Sequence, residues 1–422
     1  MSPFRVRRSV TGVHGSGARL ARVKWTLGTP LPRTVVMLAV SAFFVAVGFG
    51  VMIPVLPIFA ASFGVSNFLI GLVVSAFAGM RLAISPFCRR ISDRIGHRRT
   101  IGIGMWIVGV SSALCGLAGS YTELLLWRAV GGLGSAMFTI SATALLLASV
   151  GPELRGRASG LYQGGFLLGG MTGPAIGGLL AAVSLTAPFY FYAGTLVIAG
   201  TIAFTQLHDP PGMAEAAAEA PTRSLGEVVA DSRFRAACLM SLGQGWQSFG
   251  VRSALVPILV VGALQSEPSW AGIAFAIAAV AQTAALPAAG RATDLIGRRP
   301  VMIVGGLLSA ASTLATPFAP SLQVLIVLLC IYGVGSAALG TAPTAALGDA
   351  TKGAGSQPVA IYSMVGDIGA IVGPLAAGVL ADHWGMGAAF GSGTAILLAG
   401  TVAAAMIPAR LDVRSPARQE EQ

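Results

Sequence analysis

Twelve mostly apolar stretches run through this 422-residue chain, at 34–60, 67–88, 100–119, 122–148, 157–183, 186–207, 236–262, 268–289, 301–319, 322–347, 357–381 and 387–407. A helix rises about 1.5 Å per residue, so about 20 apolar residues cross the ~30 Å hydrocarbon layer of a bilayer. Twelve such stretches predict an all-α polytopic membrane protein, because inside lipid a helix satisfies its own backbone hydrogen bonds. The composition agrees: 55% of residues are apolar and 10% charged, against about 25% charged in soluble domains. A soluble enzyme of ordinary make-up, a disordered chain and a secreted disulfide scaffold are excluded. Gly is abundant, 56 of 422 residues, and suits helices that approach closely in lipid.

The charges predict the topology. Of 27 Lys and Arg, 24 fall in the tails and loops on the side of the N-terminus, and the opposite loops have none. Both termini are therefore expected in the cytoplasm of a cell (inner or plasma) membrane protein. The net charge of +11 is then a topology signal, and no nucleic-acid partner is expected. Residues 1–33 are polar and basic with no apolar core, so they read as a cytoplasmic tail and not as a cleaved signal. The expected domains are this tail, a six-helix bundle at 34–207, a linker at 208–235, a second bundle at 236–407 and a C-terminal tail at 408–422. Ser224 to Phe234 reads either as a short surface helix with an N-cap serine or as solvated linker. Cys88, Cys115, Cys238 and Cys330 form no CxxC pair, and the four histidines lie outside the apolar runs. No metal, cofactor or disulfide is expected.

The two halves repeat each other. Asp93-x2-Gly96-x-Arg98 recurs as Asp294-x2-Gly297-Arg298-Arg299, and Pro86 as Pro287, both at an offset of 201 residues. Gly132-x-Gly134-Ser135-Ala136 recurs as Gly333-x-Gly335-Ser336-Ala337 at the same offset. Gly169, Gly173, Pro174 and Gly178 match Gly369, Gly373, Pro374 and Gly378 at an offset of 200. Parallel six-plus-six repeats occur in transporters whose substrate site lies near midplane between the halves.

Four motifs carry a resemblance that covers residues 34–407. They are Asp93-Arg94-Ile95-Gly96-His97-Arg98-Arg99 with its partner ending Asp294-Leu-Ile-Gly297-Arg298-Arg299; Arg128-x3-Gly132-x-Gly134; Gly160-x8-Gly169-x3-Gly173-Pro174-x2-Gly177-Gly178; and Gly48-x5-Pro54-Val55-x-Pro57. With these the chain resembles the major facilitator superfamily, in its twelve-helix drug:proton antiporter branch. Two pseudo-symmetric six-helix bundles are implied. One position departs from the pattern: Arg89 stands where the first motif has Gly. The first apolar run also carries no acid, although many relatives of that branch have one there or nearby.

The resemblance implies a gating role for Asp93, Arg94, Gly96, Arg98 and Arg99 and for Asp294, Gly297 and Arg298; the plainer alternative is a topogenic basic loop. Gly169, Gly173, Gly177 and Gly178 fall near one helical face, beside a bend at Pro174. They are expected to let another helix approach and, with Pro174, Pro54 and Pro57, to serve conformational gating; an ordinary tight helix pair is the alternative.

Charges inside the membrane cost at least about 2.5–3.5 kcal/mol at a helix centre unless paired. Four stand there: Arg81, Arg128, Arg252 and Asp367. The repeat matches Arg81 with Gln282, Arg128 with Leu329 and Asp367 with Leu167, so the shared scaffold does not require charge at these positions. Asp367, ten residues into its run, is expected near midplane. Burial opposes its charge and a nearby arginine favours it, which makes it a proton-binding candidate; local capping is the alternative. The resemblance assigns Arg128 to proton coupling, against a structural anchor to backbone carbonyls. Gln163, Gln244, Trp246, Gln247 and Tyr362, with Arg81 and Arg252, are candidate cavity residues. The expected function is export of small amphiphilic compounds in exchange for protons by alternating access. Uptake of a small organic solute is the alternative. The expected partners are substrate, protons and the lipid bilayer, for a monomer that is not an enzyme.

Overall fold

The computed structural model describes residues 31–151, 154–209, 224–351 and 357–408. The basic N-terminal tail, the middle of the 208–235 linker, Lys352 and the C-terminal tail lie outside the described residues. The transmembrane helices are α1 (Arg33–Ala61), α2 (Asn67–Ile95), α3 (His97–Gly116), α4 (Tyr121–Ala148), α5 (Arg155–Val183), α6 (Ala187–Gln206), α7 (Ser232–Ala263), α8 (Ser269–Leu295), α9 (Arg298–Phe318) and α10 (Leu322–Ala350). The last helical stretch, Gln357–Ala405, has 49 residues and a non-helical Gly385 (φ 81°, ψ 173°) inside it. At 1.5 Å per residue it is more than twice a membrane's thickness, so it is two spans. We name them α11 (357–384) and α12 (386–405).

Helix ends follow the local chemistry. Ser66, Ser120 and Ser321 each accept a backbone N–H from the first turn of α2, α4 and α10, which satisfies a donor with no partner inside the helix. Pro54 ends the first part of α1 after Met52, and the chain resumes as Leu56–Ala61 with Pro57 in its first turn. Asp93 and Asp294 sit in the last turns of α2 and α8, not in loops. Gly96 (φ 87°) and Gly297 (φ 108°) make the abrupt turns just beyond, a backbone region that favours glycine. The short helix Leu225–Ala230 is capped by Ser224 and buries Val228 beside Phe234. α7 is wound as a π-helix over Gly245–Arg252 and again over Leu259–Ala263. Such stretches are rare and frequent at functional sites.

α1–α6 and α7–α12 form the two bundles, which meet along α2–α11 and α5–α8. Buried aromatic residues fill them: Phe59, Phe189 and Tyr192 in the first, Phe275 and Phe390 in the second. The glycine motif has two jobs. A Cβ at Gly169 or Gly173 would lie 2.5 Å from the carbonyl oxygen of Phe43 or Val47, and Gly177 is pressed likewise on Val51. These three glycines seat α5 on α1 of the same bundle. Gly178 is the exception, because a Cβ there would lie 2.6 Å from Ser269 O of α8, in the other bundle. The repeat keeps this split: Gly369 and Gly373 seat α11 on α7 at Leu242 and Trp246, while Gly378 faces Asn67 and Phe68 of α2.

Candidate functional site

We call the side with the α2–α3 and α8–α9 turns the basic face, and the other side the far face. Between the bundles lies a cavity of about 320 Å³. The first bundle supplies Phe49, Phe77, Arg81 and Arg128; the second supplies Ser241, Gln244, Ser253, Tyr362, Ser363 and Asp367. Five of the residues singled out in the sequence thus share one chamber: Arg81, Arg128, Gln244, Tyr362 and Asp367.

Arg81 and Asp367 form an ion pair across the bundles, with Nη2 2.6 Å from Oδ1. Their side chains are 32% and 34% exposed, so water and solute reach them. At that exposure a pair contributes on the order of 1 kcal/mol. That holds two bundles in register and still lets them part. Removing one partner is a different matter, because it leaves a charge inside the chamber without its counter-ion.

Arg128 is buried, and its guanidinium carbon lies 4.5 Å from the centre of the Phe77 ring. A cation over a desolvated ring gains about 2 kcal/mol. Its Nε has no hydrogen-bond partner among the described residues, so the stack compensates only part of the burial. A second cavity, about 360 Å³, opens inside the first bundle and shares Phe49, Phe77 and Arg81 with the first. Phe138, Phe166 and Tyr192 add to its aromatic lining.

The other predicted cavity residues lie elsewhere. Trp246 donates its indole N–H to Ser392 Oγ of α12 at 3.1 Å. Gln247 is 1% exposed, pressed on Gly393. Arg252 lies 4.9 Å from the Tyr332 ring centre and 5.3 Å from that of Phe275, all within the second bundle. Gln163 is an exposed residue of α5. None of these four lines the central chamber. The π winding of α7 fits this inward turn: it adds a residue to the turn and rotates the side chains beyond it.

Two of the predicted gating arginines, Arg98 and Arg298, have partners within their own halves. The backbone N–H of Arg98 donates to Asp209 Oδ1 at 3.0 Å, so the residue just after α6 caps α3. Arg298 pairs with Asp349 at the end of α10, Nε to Oδ2 3.1 Å. Asp93, Arg94, Arg99 and Asp294 are exposed at the basic face. Sequence reasoning missed Asp209, Asp349, Phe77 and the far-face contacts of Asp382 with Asn67 and Phe68. A polar residue two places after an apolar run is the only signal that marks Asp209, and loops supply many of those.

A twelve-helix bundle pair with charged groups converging on a chamber between its halves is an architecture known among membrane transporters. The family model of the Major Facilitator Superfamily matches residues 38–251 and again residues 237–422. The chain belongs to that superfamily and is a multi-pass membrane protein. Quinolone resistance protein NorA of Staphylococcus aureus is 32% identical over 183 residues, 42% of this chain and 46% of that protein. Multidrug resistance protein 1 of Bacillus subtilis is 30% identical over 177 residues, again 42% and 46%. The chain thus spans a little under half the length of the curated relatives it matches. Among solved structures, a bacterial homologue of the human lysosomal transporter Spinster, inward-facing and occupied, superposes with TM-score 0.70 at 16% identity over 90% of this chain and 98% of that one. The human organic anion transporter MFSD10 gives 0.64 at 19% identity, over 88% and 99%. These structures share the fold.

Proposed function

We propose that this transporter exports small amphiphilic compounds in exchange for protons, and that Asp367 is the proton site. The observation that carries the reading is the Arg81–Asp367 pair, because it ties the two bundles together inside the solute chamber. With Asp367 ionised, the pair holds the present arrangement. A solute that enters between the two side chains loosens the tie and allows the bundles to rock. After the solute leaves on the other side, a proton on Asp367 cancels its charge, the unpaired bundles return, and the pair re-forms as that proton leaves to the side from which the solute came. Arg128, fixed on Phe77, keeps a positive charge beside the chamber whatever Asp367 does. The drug-resistance relatives support the direction and solute class. One proton at 100 mV supplies about 2.3 kcal/mol, and a tenfold solute gradient needs about 1.4 kcal/mol. One titrating carboxylate is therefore enough.

We infer that the basic face is cytoplasmic and that this is an inward-facing state. The charge asymmetry of the loops supports the first. The second is supported by the bundle contacts, which run from Asp367 towards the far face, and by the inward-facing conformation of the Spinster homologue. Oriented vesicles test the whole reading. In inside-out vesicles with an imposed proton gradient, a fluorescent amphiphile accumulates, and Asp367→Asn cuts the gradient-dependent part at least about tenfold. Efflux that survives in both Asp367→Asn and Arg128→Ala, with the protein folded, sinks the site assignment. Gradient-driven uptake in right-side-out vesicles instead makes the protein an importer.

A further inference from the structure

The α2–α11 seam ends on a second carboxylate. Asp382 lies fifteen residues beyond Asp367, in the last helical turn before the non-helical Gly385 and past the apolar run 357–381. Its Oδ1 accepts the backbone N–H of Asn67 at 3.0 Å and the side-chain amide of Asn67 at 2.8 Å. Its Oδ2 accepts the backbone N–H of Phe68 at 2.9 Å. Asn67 and Phe68 open α2, in the opposite bundle. The first N–H groups of a helix have no partner inside it and carry the positive end of its dipole. Asp382 therefore caps a helix of the other half of the molecule.

The two acids of α11 bracket one seam. Arg81 is fourteen residues from Asn67 on α2, against fifteen from Asp367 to Asp382 on α11, or about 21 Å at helical rise. Between them the helices touch backbone to backbone about once per turn. Gly378 lies on Asn67, Gly71 lies against the Pro374 carbonyl, and Ser75 Oγ donates to Ile371 O at 2.6 Å. The far face cannot open unless every one of these contacts parts.

We propose that Asp382 is a charge latch that sets how often the far face opens, and that it is not itself a proton site of the cycle. Its facing groups on α2 are Ser66, Asn67 and Phe68, none of them charged. Tyr121 of α4 donates its hydroxyl to Leu69 O nearby, at 2.8 Å. His383, next in its own turn, packs edge-on to Trp384. Burial raises the affinity of the Asp382 carboxyl for a proton, but the donors from Phe68, Asn67 and Ser66 lower it by more, so it sits below the ordinary carboxylate range. A group held below its free value stabilises the closed state above the free pKa, and that stability is lost only as pH falls through the lower value. The latch is therefore constant from about pH 5 to 8. The two carboxylates divide the work: Asp367 responds to protons, and Asp382 sets the resting bias.

This inference rests on the proposed function for which face is external and for Asp367 as the proton site, and its test does not need transport. Ser75→Cys, in a background with the four native cysteines replaced, puts a thiol inside the seam. An impermeant maleimide then labels it from the far-face side only when that face opens. Asp382→Asn is expected to raise the labelling rate about fivefold or more, as for the loss of a charged cap. The increase is expected to be equal at every pH from about 5 to 8. Asn67→Ala, which leaves both backbone donors, should give a smaller rise and serves if Asp382→Asn does not fold. Asp367→Asn should flatten the pH dependence that Asp382→Asn leaves in place. Labelling within about twofold of the parent in both latch variants overturns the proposal. So does acidification of the parent that reproduces the Asp382→Asn rate while Asp382→Asn itself no longer responds to pH.

Discussion

The two bundles use equivalent positions differently. In the first, Arg81 leaves its own bundle and pairs with Asp367 of the other. In the second, the matching Gln282 turns inward: its amide and that of Gln244 both donate to Ser336 Oγ, at 3.3 and 2.9 Å. Arg128 likewise stands on Phe77, whereas its match, Leu329, is plain core, 1% exposed. The scaffold is thus served by neutral groups at both positions. What the first bundle adds at these two positions is charge, which inside a membrane marks a candidate for function.

The largest effect expected from this comparison comes from making the first bundle resemble the second. Arg81→Gln leaves Asp367 without its cation, so proton-driven accumulation of a fluorescent amphiphile should fall at least about tenfold. Gln282→Ala removes a neutral hydrogen bond worth about 1 kcal/mol. It should lower the unfolding temperature by a few degrees and leave transport within about twofold. Equal losses of transport in the two variants would break the comparison.

A smaller effect on transport, with the stability signs reversed, is expected at the next pair. Arg128→Leu gives the first bundle the residue that the second already carries. It relieves a burial that one stacked ring compensates only in part, so unfolding in detergent should be unchanged or later while transport drops several-fold. Leu329→Arg buries a cation with no partner and should destabilise by about 3 kcal/mol or more. An Arg128→Leu protein that unfolds early would mean that Arg128 anchors the bundle and serves the cycle only through that.

Much of this is legible in the chain. Twelve apolar runs, the offset repeat and the four intramembrane charges require only counting, and the helices and the Arg81, Arg128 and Asp367 chamber answer to them. The pairing of Arg81 with Asp367 is not legible, since the residues are 286 apart in sequence and the repeat matches neither to a charge. Trp246, Gln247 and Arg252 read as cavity residues because they are polar or aromatic in an apolar helix. Where they point depends on a π winding that ordinary helical spacing does not describe. Asp382 looks like an ordinary loop acid in the sequence. Its meaning comes from the first residues of α2, which only the tertiary fold brings beside it. The four glycines of α5 read as one face, yet Gly178 is offset by about 100° from Gly177 and meets the other bundle.

That last division yields the smallest effect and the finest test of the comparison between what holds a bundle and what joins two. Gly173→Ala would set a Cβ 2.5 Å from Val47 O inside the first bundle. α1 and α5 do not separate in a rocking cycle, so the strain stays in the fold, at about 1–3 kcal/mol. The unfolding temperature should drop by several degrees and seam labelling at Ser75→Cys should stay put. Gly178→Ala would set a Cβ 2.6 Å from Ser269 O and 3.1 Å from the Cα of Gly272, in the other bundle. The same kind of clash can be relieved there by parting α5 from α8, which the cycle does anyway. Its strain should therefore appear as a two- to fivefold rise in labelling, about 0.4–1 kcal/mol in the opening equilibrium, with the unfolding temperature nearly unchanged. Should Gly178→Ala lower stability as Gly173→Ala does and leave labelling alone, the α5–α8 contact is part of a rigid body and the bundles hinge elsewhere.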